Sequence, residues 1–198
     1  MEEHSEKALT GAGSPKRLEL VLGQPFLAVS EEIGRWSAVL TECRSRTLKA
    51  IATIAREELD WQPPLSSNTI GTLLYHIALI EADWLYTEIL EQQMPEDLRS
   101  LLSIGDRESG GALTNVHEPV NQHAHRLALV REQLLGSLGK MTLAEFRRIR
   151  HLRDYDVTPE WVVIHLLQHE AEHRGQILVL RKAFTDLQGR LHNGKGIA

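Results

Sequence analysis

One stretch near the C-terminus concentrates residues able to do metal chemistry: His165-Leu166-Leu167-Gln168-His169-Glu170-Ala171-Glu172-His173. Its histidines stand at i, i+4 and i+8. At ~100° per residue they drift only ~80° around a helix, so they form one stripe. Trp161, Val162, Leu166, Ile177 and Leu180 share that face, which predicts that the stripe points into a core. A buried imidazole must satisfy both ring nitrogens. Three stacked in an apolar stripe are hard to satisfy without water or a metal. Residues 169–173 also read literally as H-E-x-x-H, the zinc-protease pattern in which the glutamate is a general base. That reading lacks its third ligand, because only His192 follows, in a glycine-rich tail. An isolated H-x-x-x-H is more often structural than metallic, since histidine tolerates half-buried positions. What shifts the balance is His76, mid-stripe between Leu73 and Ile80 on another amphipathic segment. Metal sites in bundles are built from side chains on facing helices.

The elements that must position these residues are helical. Ser30 followed by Glu31 and Glu32 opens a first long helix, with Ile33, Trp36, Leu40, Cys43, Thr47 and Ile51 at helical spacing and Pro63-Pro64 at its end. Asn68 or Thr69 caps a second helix reaching about Leu90 and carrying Leu73, His76, Ile77, Ile80 and Trp84 on its inner face. Residues 95–117 read as a loop. A third helix starts at Glu118 or Pro119 and runs to Leu138, with Leu127, Val130, Leu134 and Leu135 facing in. The fourth has Thr158 as N-cap, Pro159 at its first position and Glu160 in its first turn, and is expected to reach about Asp186. The stretch 142–157 is mixed, and no repeat or β pattern stands out. The short link between the first two helices predicts antiparallel neighbours, and the long second connection allows a crossover. The domain layout is a mobile tail over 1–16, one helical domain over 17–186 and a frayed end over 187–198.

Composition bounds the function. With 198 residues, 42% hydrophobic and 25% charged, the chain suits one soluble domain with its own core. A net charge of −5 without a basic stripe argues against nucleic acid as a partner. No apolar run is long enough to span a bilayer, and the acidic start Met1-Glu2-Glu3 does not resemble a signal peptide. Cys43 is the only cysteine, so no internal disulfide forms, which fits a reducing, cytoplasmic setting.

The segment Asn68-Thr69-Ile70-Gly71-Thr72-Leu73-Leu74-Tyr75-His76-Ile77-Ala78, followed by His169-x3-His173-Arg174-Gly175-Gln176, resembles the DinB/YfiT-like metalloenzyme family. The Leu59-Asp60-Trp61 turn is also similar to it, and the resemblance covers roughly residues 30–185. It implies an all-α four-helix bundle of up-down-down-up topology. It implies one divalent transition metal held by His76, His169 and His173, with zinc or nickel favoured over iron or copper. A homodimer and, in some branches, thiol-dependent transferase chemistry are further implications. His165 matches a position that is often histidine without being a ligand, so it is either beside the site or simply core.

Other residues carry two readings each. Gln176 orients a ligand or packs at the site rim. Asp83, two turns after His76, stands beside an imidazole or bound water, or is a surface residue. Gly175 inside a helix suggests close helix approach. Glu172 lies at the stripe's edge. His117, His123 and His125 are taken as surface or core-edge residues, with His123 and His125 on opposite sides of their helix. The basic run Arg147–Arg153, which holds His151, reads as a solvated face, with an anionic substrate as the alternative. Cys43 has no activating neighbour in sequence. Three imidazoles leave coordination positions open, as in catalytic sites. The expected function is a metal-dependent thiol S-transferase or isomerase acting on a small molecule. A metal-dependent hydrolase or a non-catalytic metal-binding bundle are the alternatives. A cavity walled by Trp84, with Gln176 or Asp83 at its edge, should serve the metal.

Overall fold

A computed structural model describes residue 22 and residues 28–64, 68–104 and 113–194 of the chain. The expected tail over 1–16, most of 17–29, and Gly105, Gly110 and Gly111 lie outside the described residues. The described chain is an all-α bundle of four long helices, α1 (Glu31–Ile51), α3 (Ile70–Trp84), α5 (Val120–Gly139) and α7 (Pro159–Gly194). Short helices α2 (Arg56–Leu59), α4 (Glu96–Leu101) and α6 (Leu143–Phe146) sit in the connections.

Local chemistry sets most boundaries. The Thr69 hydroxyl accepts from the Thr72 amide at 3.0 Å and so starts α3. The Thr158 hydroxyl does the same for the Trp161 amide at 3.2 Å, as its sequence pattern predicts for α7. Ser30 occupies the N-cap position of α1 without making a side-chain cap. α3 passes directly into a π-helical turn, Leu85–Ile89, before Leu90 ends it.

Four expectations are corrected. α1 stops at Ile51 rather than at the prolines, and α2 follows as a separate turn. The link to α3 is therefore longer than a hairpin loop. With that slack, α1 packs mainly on α7 and α5, and α3 on α5 and α7, so α1 and α3 are not principal neighbours. Residues 150–151 and 156–157 form a small antiparallel pair, Arg150 opposite Val157, where no strand was foreseen. Finally, α7 continues beyond Asp186 to Gly194.

The core holds Ile33 and Leu40 of α1, Leu73, Leu74 and Ile77 of α3, Leu127, Val130 and Leu134 of α5, and Val162, Leu166 and Ile177 of α7. At its centre lies a charged network with one residue from each long helix. Arg44 reaches Glu81 at 2.6 Å and Glu170 at 2.8 Å. Arg131 reaches Glu81 at 2.7 Å and Glu170 at 2.8 Å. The remaining guanidinium nitrogens donate to the Leu127 and Leu40 carbonyls. Two cations and two carboxylates cancel, and none is more than 5% exposed. Burial opposes the charge on Glu170, yet Arg44 and Arg131 outweigh it and hold its carboxyl below the usual range.

Candidate metal centre

His76 lies on α3, and His169 and His173 lie one turn apart on α7, which packs against α3. The Nε2 atom of His169 is 3.1 Å from Nε2 of His76 and 3.0 Å from Nε2 of His173. One ligand atom from each of the three falls within 4.8 Å of the others. His76 is buried, while His169 and His173 are half-buried. The stripe thus runs along the edge of the core and not through its middle: Trp161, two turns before His169, is exposed.

The three rings suit a cation better than each other. Nδ1 of His173 is 3.0 Å from Oε1 of Gln176, an acceptor, which places the proton of the neutral ring on Nδ1. Nε2 of His173 then offers a lone pair towards His169. A single hydrogen on the His169 nitrogen cannot satisfy two facing Nε2 atoms, whereas one cation can. Two imidazole nitrogens sharing a tetrahedral zinc stand about 3.3 Å apart, close to these separations. Burial, followed by the nearby His173 and His76, pushes the His169 pKa down to about 3, so the ring is neutral at pH 7. Neutral imidazole is the form that ligates.

His165 stays out of this group. It packs on Trp84 with centroids 4.1 Å apart and stacks on Trp161 at 5.4 Å and 7°. Its ring centroid is 6.0 Å from that of His169. Gln176 meets His173 as described. Asp83 is exposed, and its Oδ1 accepts from the Thr87 hydroxyl at 3.5 Å. Glu170 points into the central network, away from any protease-like role.

Other sequence readings are revised. A Cβ at Gly175 would meet nothing within 4 Å, so this glycine serves no close helix approach. The close approach is at Gly71, where a Cβ would lie 2.7 Å from the Val116 carbonyl oxygen. His123 is fully buried, and neither ring nitrogen has a hydrogen-bond partner among the described residues, while His125 is exposed. The basic run is paired and not simply solvated: Arg148 binds Glu91 at 2.6 Å, and Arg150, 1% exposed, binds Glu145 at 2.8 Å. Cys43 has a neighbour that its sequence context lacks, since Arg174 donates to its sulfur at 3.4 Å.

The single expected cavity is two. One, of about 490 Å³, is lined by Trp84, Tyr155, Asp156, Val157 and Trp161. The other, of about 660 Å³, has Leu73, Glu172, Gly175 and Gln176 in its wall. Trp84 and Gln176 therefore belong to different spaces.

The family model described as the DinB superfamily matches residues 40–177. The chain belongs to the DinB superfamily. No curated protein sequence matches it. The DinB match spans the three clustered histidines, Gln176 and all four members of the buried charge network. Among the described residues, no helix is long and apolar enough to cross a membrane.

Proposed function

We propose that this DinB-superfamily protein is a metal-dependent enzyme whose His76, His169 and His173 hold one divalent transition metal. Imidazole suits zinc, nickel, iron and copper alike, and the family resemblance puts zinc or nickel first. The observation that carries the reading is that His169 Nε2 lies 3.1 Å from His76 Nε2 and 3.0 Å from His173 Nε2, with one ligand atom from each ring within 4.8 Å of the others. Gln176 fixes the tautomer of His173, as outer partners of ligating histidines do. When bound, the metal supplies a Lewis-acid centre at which a thiol or a water ionises near neutral pH.

The reaction is a group transfer or isomerisation with a low-molecular-weight thiol as co-substrate. The choice of a thiol rests on the resemblance of the motif pair to a family with thiol-dependent transferases. Two cavities, one lined by Trp84 and Trp161 and one by Leu73 and Gln176, give room for a thiol and a second small molecule. A homodimer and a cytoplasmic setting complete the proposal.

Elemental analysis of the purified protein, then a panel of thiols against small electrophiles, tests it. One equivalent of metal and thiol-dependent turnover are expected. Turnover of esters or amides without thiol would move the assignment to a hydrolase. Stoichiometric metal without turnover in either panel would leave a metal-binding bundle.

A further inference from the structure

The smaller cavity has aromatic walls and an acidic rim. Trp84 ends α3, Trp161 lies in the first turn of α7, and Tyr155 precedes the second short strand. Trp84 stacks offset on Trp161 at 5.7 Å and on Tyr155 at 6.3 Å, both at 28°. Trp161 remains 51% exposed and Tyr155 46%, so ring surface is left uncovered at the cavity. Aromatic faces carry the negative side of the ring quadrupole.

Carboxylates gather beside these rings. The Tyr155 hydroxyl donates to Glu88 Oε1 at 2.6 Å. Glu88 is 4% exposed, and its other oxygen is buried with no hydrogen-bond partner among the described residues. Asp156 lines the cavity. Burial pushes the Tyr155 pKa up to about 12, and Glu88, Asp83 and Asp154 add to the rise. Burial also raises the pKa of Glu88, the response of a carboxylate without a countercharge. Arg153, exposed, lies 3.8 Å from Asp154, and His151 lies 3.0 Å from Asp156. Glu88, with an oxygen left unpartnered among the described residues, and Asp156 in the cavity wall favour a cation over an anion at these rings.

We propose that the cavity between Trp84, Tyr155 and Trp161 is a recognition site for an organic cation, the alkyl- or quaternary-ammonium group of a small molecule. Such groups sit on indole and phenol faces with little loss of hydration, and nearby carboxylates add to the attraction. The cavity adjoins the histidines through His165, which touches Trp84 and lies next to His169. That the cation belongs to the substrate rests on the proposed enzymatic function; that the pocket binds a cation does not.

The test is calorimetric titration of the full-length protein with choline and with its neutral isostere 3,3-dimethyl-1-butanol, at constant chloride and before and after chelator treatment. Choline is expected to saturate one site and to bind at least tenfold more tightly than the isostere, with or without chelator. Trp161→Leu, at an exposed position, and Asp156→Asn should each weaken choline at least threefold while metal content stays as in the parent. Equal binding of both probes, no choline binding, or unchanged affinity in both variants would overturn the proposal. Choline binding in a protein that holds no metal would leave this site standing and remove the enzymatic reading. Stoichiometric metal without choline binding would do the reverse.

Discussion

His173 and His165 lie on one stripe of one helix, but their surroundings separate them. His173 presents Nε2 to His169 with Nδ1 held by Gln176, whereas His165 packs against two indoles. His173→Ala should therefore lose bound metal, because two imidazoles hold a divalent ion poorly, and His165→Ala should keep it. Metal content by elemental analysis decides, and the opposite pattern would shift the ligand set by one turn. His123 gives a second residue-scale expectation. Burial, then the Arg126 guanidinium, lowers its pKa to about 4, while the unfolded chain has the ordinary value of ~6.5. The unfolded state then binds the extra proton between these values. The contribution of the neutral ring is fully present above ~6.5 and is lost as pH falls towards 4, on the order of 2–3 kcal/mol by pH 4.5. Urea unfolding at pH 7 and pH 4.5 should show the parent losing more stability than His123→Gln. Equal losses would mean that the ring is not held neutral.

Two glycines show how helices read differently from sequence and from packing. Both lie inside helices, where alanine is intrinsically favoured by ~1 kcal/mol. A methyl at Gly175 meets open space, so Gly175→Ala should stabilise by up to about 1 kcal/mol. A methyl at Gly71 presses on the Val116 carbonyl at 2.7 Å, and overpacking of ~1–3 kcal/mol outweighs the helical gain. Gly71→Ala should thus lower the urea midpoint while Gly175→Ala raises it. A shift of both in one direction would refute this contrast. The helix starts followed from local chemistry that the sequence displays: Thr69 and Thr158 cap as their positions imply. The end of α1 and the Arg150–Val157 strand pairing did not: Arg181 of α7 donates to the Ala50 carbonyl in the last turn of α1, and Arg150 donates to the Ile89 carbonyl after α3.

At the scale of the molecule, the four-charge network fixes how the long helices face each other. Glu81→Ala leaves Arg44 and Arg131 short of a carboxylate in the core and should cost about 3–5 kcal/mol in unfolding free energy. A loss below 1 kcal/mol would mean that water reaches the network. α7 also carries exposed Ile164, Leu178, Val179 and Leu187 along its length. An apolar surface of this kind suits the proposed homodimer. Light scattering at micromolar concentration should give twice the chain mass, and monomer mass alone would count against the dimer.

The sequence by itself determined the helical class, the starts of α3 and α7, and the three histidines that meet, because periodicity, caps and i, i+4 spacing are local properties. Only the tertiary structure decided what those elements enclose. Glu170 looked like part of a chelating pentapeptide, and the fold turned it into a partner of Arg44 and Arg131. Gly71 and His123 gave no local signal, since their constraints come from segments far along the chain. The separation of Trp84 from Gln176 into two cavities has the same origin: it depends on where α7 crosses α3 and where Tyr155 is carried by its short hairpin. Which side chains share a space is set by the packing of whole helices, and no window along the sequence contains that information.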